Sequence, residues 1–475
     1  MQEVVGKSVV VIGGGPAGMM AAITAARSGA QVTLLEKNKR LGEKLRITGG
    51  GRCNVTNNTL DTAKLLKKYG AAEQFLYAPF SKFAVKETVA FFAELGVPFK
   101  EEVEGRMFPV TERAETIAEA LIAELKKLEV IVTTGDAARA FDVFEGKITA
   151  VHMASGKRIT ADYFIVSTGG TSRPETGSEG DALPWLARLG HTIVKPDFTL
   201  VPVKTRETYT HDMSGLAFED VKVSVVQGGT TLRKGRGKIL FTHFGLSGPL
   251  VLNMSKTIVE ALRDDPVSLV LDLFPNEDDG TLAARLLAYL QANQNKTLRN
   301  ALRTFVPPLL ATALVAKFDI SETVRAQECP RTMRVNIVQT LKRMTLTVQG
   351  VLGAEKSIVS SGGVSLEEID TRTMQSRIIP NLSIIGDVLN IDRPSGGYSL
   401  QLCWTAGYVA GKAVAALEIV NVSIDNPPNW PVIALCNPLP SEISETTAAI
   451  PIKIPSIVSH VLSPLCFRLF NARTR

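Results

Sequence analysis

The stretch that first invites a chemical reading is ITGGGRCNVTN, residues 47–57, where three consecutive glycines meet Arg52, Cys53 and Asn54. Two chemistries compete for it. Either Cys53 is a reactive thiol, or the stretch is a backbone loop that lies against something flat and charged. A thiol reacts as its thiolate, which needs a cationic, accessible setting. A redox thiol also needs a partner, yet Cys53, Cys329, Cys403, Cys436 and Cys466 lie far apart, with no CxxC pair. That pattern argues against a local zinc site or a dithiol couple and fits a reducing, cytoplasmic compartment. Packing is therefore the reading for Cys53. His243, between two phenylalanines in FTHFGLSGP, is a candidate acid or base. Tyr398 and Arg393 flank a glycine pair from which a substrate is within reach. The other histidines (His152, His191, His211, His460) show no metal-ligand spacing, and no GxSxG elbow is present.

A second constellation lies upstream. SVVVI (8–12) is a β-branched run that reads as a buried parallel strand. Gly13, Gly15 and Gly18 then supply GxGxxG, with Pro16 and Ala17 opening a helix over 17–28. QVTLLE (31–36) is a second strand, ending on Glu36 and followed by Lys37. The motif alone is weak, but strand, glycine turn, helix, strand and terminal acid together mark a dinucleotide site. Gly13 makes the tight turn, Gly15 lets a pyrophosphate approach, and Gly18 lets helix and strand pack closely. The helix N-terminus attracts phosphate, and Glu36 accepts hydrogen bonds from a ribose diol.

The next segment of chain decides between NAD and FAD. A nicotinamide dehydrogenase usually continues with further βαβ units; this chain runs directly into the glycine-rich loop. Such a loop can return along a bound cofactor and offer backbone N–H groups, here around Thr48 and Gly51, to a pyrophosphate and a flavin ring. Lys44, Arg46 and Arg52 would neutralise phosphate charge, and Asn54 would meet a polar ring edge. TTGDAARAF (133–141) reads as the strand end that meets the adenine, with Ala138 at the contact. IVSTGG (165–170) places Thr168, Gly169 and Gly170 against the adenosine half. NLSIIGDVLN (381–390) ends a strand on Gly386 and Asp387. A helix then begins after Gly397, with Tyr398, Ser399 and Leu400 at its start. Its positive end would stabilise an anionic reduced flavin. No second GxGxxG follows a strand, so NAD(P)H would bind only transiently.

VVVIGGGPAG, KLRITGGGRCNVTN, FTHFGLSGP, SSGGV and GGYSLQLCWTAGYVAG, in that order, resemble the bacterial BaiN-like flavoprotein family, over about residues 5–417. That family includes enzymes described as 3-dehydro-bile-acid reductases and aminoacetone oxidases. The resemblance implies an FAD-dependent oxidoreductase of the two-dinucleotide-binding class: an α/β, Rossmann-like FAD domain interrupted by a β-rich domain and a helical segment. Gly386-Asp387 departs from the commoner Gly-Glu but keeps an acceptor there.

The elements that must position these residues emerge from pattern. Two amphipathic helices are expected over 82–96 and 112–128, joined by a turn around Gly105 to Pro109. Short β-runs start near 196, residues 253–325 read as largely helical with a break at Pro307-Pro308, and 342–352 returns to strand. The division expected is an FAD domain over 1–195 and 351–418, an inserted cap over 196–350, and a proline-rich, loosely ordered tail over 419–475. At 475 residues the chain exceeds the size of a single core. With 45% hydrophobic and 21% charged residues it reads as a globular protein with no membrane-spanning run. The net charge of +6 is scattered, so no nucleic-acid partner is expected. The expected reaction is hydride transfer between flavin N5 and a small organic substrate, with NAD(P)H reduction of an enone favoured. An amine or aminoketone oxidase, or an RNA-modifying flavoprotein, is the alternative.

Overall fold

Alternating apolar runs and glycine turns build a parallel sheet at the N-terminus. The computed structural model describes residues 6–416, apart from residues 322 and 358. The tail expected over 419–475 lies outside the described residues. Strand β1 (Ser8–Ile12), helix α1 (Pro16–Arg27) and strand β2 (Gln31–Glu36) form the first βαβ unit. Strand β1 pairs in parallel with β2 on one side and with Tyr163–Val166 on the other. Leu382–Ile384 and Ile131–Thr134 complete the sheet at its two edges. Both faces are covered, which is why β1 and Tyr163–Val166 are apolar along nearly their whole length.

Helix Tyr398–Ala416 packs against α1, and glycine makes the approach possible. A Cβ on Gly407 would stand 2.5 Å from the Ala17 carbonyl oxygen, and one on Gly411 would stand 2.6 Å from that of Ala21. Two helices from opposite ends of the chain thus lie backbone to backbone. Gly15, which caps α1, and Ser399, in the first turn of the later helix, open on the same cavity.

Residues Val203–Val351 carry a closed six-stranded antiparallel barrel with its own hydrophobic core. Val221–Val225 in its long hairpin, the end of the partner strand at Ile239–Phe241, and Val267–Asp272 alternate buried with outward residues, as a barrel wall requires. The chain enters and leaves this region through one antiparallel pair, Ile193–Thr199 with Val359–Val364.

Two expectations need correction. Residues 253–325 are not simply helical: Val267–Asp272 is a barrel strand between helices Pro249–Ala261 and Asp279–Ala292. Its partners are remote in sequence, so helical neighbours masked it. The expected turn at Gly105–Pro109 is instead strand Arg106–Pro109, paired with both Thr56–Asn57 and Phe99–Glu102. That small sheet anchors the glycine-rich loop.

Candidate functional site

Three connected cavities run along the carboxyl ends of the parallel strands, where open α/β sheets hold their ligands. The first is an outer recess lined by Glu36, Lys37, Ala138, Asp181 and Trp185. It shares Gly13, Glu36, Thr168 and Gly177 with a middle cavity of about 130 Å³. The middle cavity shares Lys44, Thr48, Ser399 and Leu400 with a main cavity of about 570 Å³. The far side of the main cavity comes from the barrel region: Leu200, Arg236, Lys238, Leu250 and Asn253.

The glycine turn shows which of its glycines hold the fold and which one leaves room. Gly13 has φ +107°, and a Cβ there would stand 2.5 Å from the Ser167 carbonyl oxygen. A Cβ on Gly18 would stand 1.9 Å from the Gly13 carbonyl oxygen. Gly15 differs: nothing lies within 4 Å of the corresponding position, and it lines the middle cavity. Glu36 secures the turn, its Oε2 accepting from the Gly14 N–H at 2.7 Å and its Oε1 from that of Asn38 at 2.7 Å. Burial raises its pKa, and the Asn38 and Gly14 N–H groups oppose the rise. Each carboxylate oxygen keeps acceptor capacity toward the junction of recess and middle cavity.

At the other end of the middle cavity Asp387 sits between two cations. Lys44 Nζ donates to its Oδ2 at 3.3 Å and to Ser172 Oγ at 2.6 Å, while Arg393 Nη2 pairs with Oδ1. Burial would push the Asp387 carboxyl up, but Arg393 and Lys44 outweigh it and hold the pKa below the usual carboxylate value.

Most of the residues singled out in the sequence come together on this channel. Gly13, Gly15, Pro16, Ala17, Glu36, Lys44, Thr48, Thr168, Gly169, Gly386, Asp387, Ser399 and Leu400 line the middle cavity. Ala138 and Lys37 line the recess, with Lys37 Nζ held by Glu179 at 2.7 Å and by Asp181 at 2.6 Å. Arg52, Asn54 and Gly397 line the main cavity. Arg52 pairs with Glu102 at 2.8 Å and lies 4.2 Å over the Phe108 ring, so it serves the main cavity and not the middle one.

Six placements differ from expectation. Arg46 turns to Glu115 on the helix Ala114–Lys127 and lines none of these cavities. Gly49 and Gly50, not Gly51, face the main cavity. The Gly170 carbonyl accepts from Ser178 Oγ at 2.9 Å, so Gly170 shapes its loop from behind. Arg393 is no substrate contact: its side chain is buried among Asp387, the Ile391 carbonyl and Ser399 Oγ. His243 sits exposed in the turn after Thr230–Thr242, stacked edgewise on Phe244 and off the walls of all these cavities. Tyr398 lines a neighbouring side cavity, not the main one. Cys53 keeps its packing reading, since it is fully buried and burial pushes its thiol up to about 12, with Thr48 opposing.

The recess and both cavities suit an extended dinucleotide. Thr168 Oγ1 and Asn54 Oδ1 are buried without a hydrogen-bond partner, one between recess and middle cavity and one at the main cavity. Buried polar atoms are rarely left so, and both await a ligand's polar edge. Sequence reasoning missed Asn38, Ser178, Asp181 and Asn253, which lie outside the motifs, and Cys403, which lies within GGYSLQLCWTAGYVAG but was not singled out.

Comparison with known proteins agrees. Residues 7–413 match the family model described as HI0933-like protein Rossmann domain. The chain belongs to the HI0933-like family. This HI0933-like protein is 30% identical over 411 residues to a 3-dehydro-bile acid delta(4,6)-reductase of Clostridium scindens, covering 85% of this chain and 98% of that one. It is 26% identical over 411 residues to a ribosomal RNA dihydrouridine synthase of Escherichia coli, covering 86% of this chain and 98% of that one. Among solved structures, a 3-ketosteroid delta1-dehydrogenase from Sterolibacterium denitrificans shares the fold, with TM-score 0.50 and 13% identity, over 87% of this chain and all of that one. The HI0933-like chain is thus an FAD-dependent oxidoreductase with a Rossmann-type FAD domain. Among its described residues, no helix is long and apolar enough to cross a membrane.

Proposed function

We propose that the protein is an NAD(P)H-linked reductase of a carbon–carbon double bond conjugated to a carbonyl, working in a reducing, cytoplasmic setting. In this reading the recess takes the adenosine beside Ala138. The middle cavity takes the pyrophosphate and ribityl chain near Gly15, Thr168 and Asp387, and the flavin ring meets substrate in the main cavity. Residues 196–350 act as a cap. Bound there, FAD supplies hydride transfer at its N5.

The observation that carries the reading is the make-up of the main cavity. Arg52, Arg106, Arg173 and Lys238 give it cationic donors, while Leu200, Pro249, Leu250 and Leu252 give it apolar surface. Reducing a conjugated double bond moves negative charge onto the carbonyl oxygen, which fixed cations stabilise as it develops. The apolar surface holds the carbon skeleton and excludes water. The relatives' names fit one bond type: a 3-keto steroid diene and the uracil ring each carry a double bond conjugated to a carbonyl.

Anaerobic stopped-flow tests this. The yellow protein is mixed with NADH or NADPH, and the reduced protein is then offered a 3-keto-Δ4 steroid or a uridine-containing RNA. Bleaching by a nicotinamide and recovery of colour with an unsaturated carbonyl acceptor are expected. No bleaching, together with peroxide from an amine or aminoketone, would replace this reading with the oxidase alternative.

A further inference from the structure

Asn253 stands where the barrel region meets the cofactor side. It lies on helix Pro249–Ala261, whose buried Val251, Met254 and Ile258 belong to the barrel region's core. Asn253 itself lines the main cavity beside Leu250 and Leu252. Its Oδ1 accepts from the Ser395 N–H at 2.9 Å and from the Ser395 hydroxyl at 3.1 Å. One turn further along the helix, Lys256 Nζ pairs with Asp392 of the same loop. That loop is in turn tied to the charges of the middle cavity, since Arg393 holds both Asp387 and Ser399. It then runs through Gly396 and Gly397, which line the main cavity, into helix Tyr398–Ala416.

The two bonds to Ser395 fix which way round the amide lies. A backbone N–H can only donate, so the Asn253 atom that meets it is the oxygen. The amide nitrogen, with its two N–H groups, has no hydrogen-bond partner among the described residues. The cations of the main cavity are differently placed. Arg52, Arg173, Arg236 and Lys238 each have a carboxylate partner, and Arg106 Nε donates to the Val103 carbonyl. They set the field of the cavity. Asn253 is a donor held from both regions, with its hydrogens left for whatever the cavity contains.

We propose that Asn253 is a catalytic residue, its Nδ2–H donating to the carbonyl oxygen of the substrate. The proposal rests on the reductase reading and assigns the oriented donor which that reaction needs. Hydride from the reduced cofactor adds to the β-carbon, the electron pair of the carbon–carbon double bond shifts toward the carbonyl, and an enolate oxygen forms. A proton from solvent at the α-carbon completes the saturated ketone, and the cofactor is left oxidised. Negative charge grows on the oxygen as the hydride arrives. A donor fixed beforehand therefore contributes more in the transition state than in the bound substrate. The amide neither gives up nor takes a proton, so its part is electrostatic.

Two variants separate this role from that of a strut. Asn253→Asp keeps an oxygen for Ser395 and exchanges the N–H donors for a second carboxylate oxygen; Asn253→Ala removes both functions. Full-length FAD-loaded protein, reduced anaerobically with NAD(P)H at neutral pH, is mixed with a 3-keto-Δ4 steroid, and the return of yellow colour is timed. Asn253→Ala should slow this reoxidation about a hundredfold, the loss typical of one oxyanion donor, and Asn253→Asp at least as much. KM for the steroid should change by no more than about threefold. In Asn253→Ala, bleaching by NAD(P)H and reoxidation by dioxygen, which offers no carbonyl, should stay within about threefold of wild type. The proposal is overturned if Asn253→Asp works as wild type does while Asn253→Ala does not, because the bond to Ser395 is then the entire role. It is also overturned if both variants reduce the steroid at the wild-type rate, or if both lose flavin. Wild type that bleaches and regains colour with the steroid keeps the reductase reading whatever the variants do. Wild type that never bleaches, or regains no colour with the steroid, fails that reading itself.

Discussion

The middle cavity and the main cavity share four residues yet draw their walls from different regions. Around the middle cavity the charges are answered from within: Asp387 lies between Lys44 and Arg393, and Glu36 is held by the N–H groups of Gly14 and Asn38. Gly13, Gly15, Gly42, Gly169, Gly177 and Gly386 stand among its lining residues. The main cavity is larger, and it draws its lining from the parallel-sheet region and the barrel region alike. The contrast teaches that one cavity is set by the end of the parallel sheet alone, whereas the other also depends on which side chains the barrel region presents. Lesions on the two sides should therefore fail differently.

The largest effect is expected at Asp387. Replacing it by Asn leaves the buried Arg393 and the half-buried Lys44 with no countercharge, a loss of about 3–5 kcal/mol. Thermal or urea unfolding checks this. The pH dependence has a definite sign. The Asp387 pKa is lower folded than unfolded, so its contribution is complete above the ordinary carboxylate pKa and is lost as pH falls through the depressed value. D387N should remove that part of the acid-unfolding transition. Glu36 runs the other way, its pKa raised by burial, so its contribution falls as pH rises. Similar acid profiles for D387N and wild type would mean that the Lys44–Asp387–Arg393 cluster does not set the charge balance of the middle cavity.

Next in size come two glycines three residues apart. Gly18→Ala forces a Cβ to 1.9 Å from the Gly13 carbonyl and should cost about 3 kcal/mol of stability, whatever the ligand state. Gly15→Ala meets nothing within 4 Å, so the apoprotein should melt as wild type does. Flavin affinity should nevertheless fall about tenfold or more, because the added methyl stands where a pyrophosphate approaches. Apoprotein melting and flavin titration separate the two. Equal melting losses would mean that the space beside Gly15 is not a ligand's space.

On the barrel side, Leu250→Ala should leave flavin content unchanged and raise KM for an unsaturated carbonyl substrate about threefold, with kcat less affected. Flavin loss in this variant would show that the barrel region supports the cofactor cavity as well.

The same contrast explains what the sequence could show. A close backbone approach demands glycine at a fixed spacing, so the turn at 13–18 and the pair at 396–397 are visible in one chain. At Gly397, φ is +101° and a Cβ would stand 2.5 Å from the Thr56 backbone, so the residue type is dictated by the contact. Arg46 shows the limit. It lies in the basic glycine-rich stretch, yet the short helix Glu43–Arg46 turns it toward Glu115, a partner remote in sequence. His243 shows it too: a histidine between aromatic residues looks chemical, and only the turn's exposure removes it from the cavities. The barrel side is harder, because Arg236, Lys238 and Asn253 reach the main cavity through the folding of the barrel region, which no local spacing encodes.

The smallest effect is expected at Cys53, and it tests the comparison most finely. The residue sits in the glycine-rich loop, yet its side chain is fully buried and lines neither the recess nor any of the three cavities beyond it. Its φ of +61° is unusual for a non-glycine residue, and its N–H donates to the Thr48 carbonyl at 3.0 Å. Burial raises the thiol to about 12, so almost none is thiolate at neutral pH. Cys53→Ser keeps a hydroxyl in place of the thiol that bonds Thr48, and should cost less than about 1 kcal/mol. Turnover with NAD(P)H should stay within about twofold, and thiol-directed alkylation of native wild type should be slow at Cys53. If Cys53→Ser abolishes turnover while flavin stays bound, the loop is part of the chemistry and not only its frame. The packing reading of Cys53 would then fail, although its side chain lines none of these cavities.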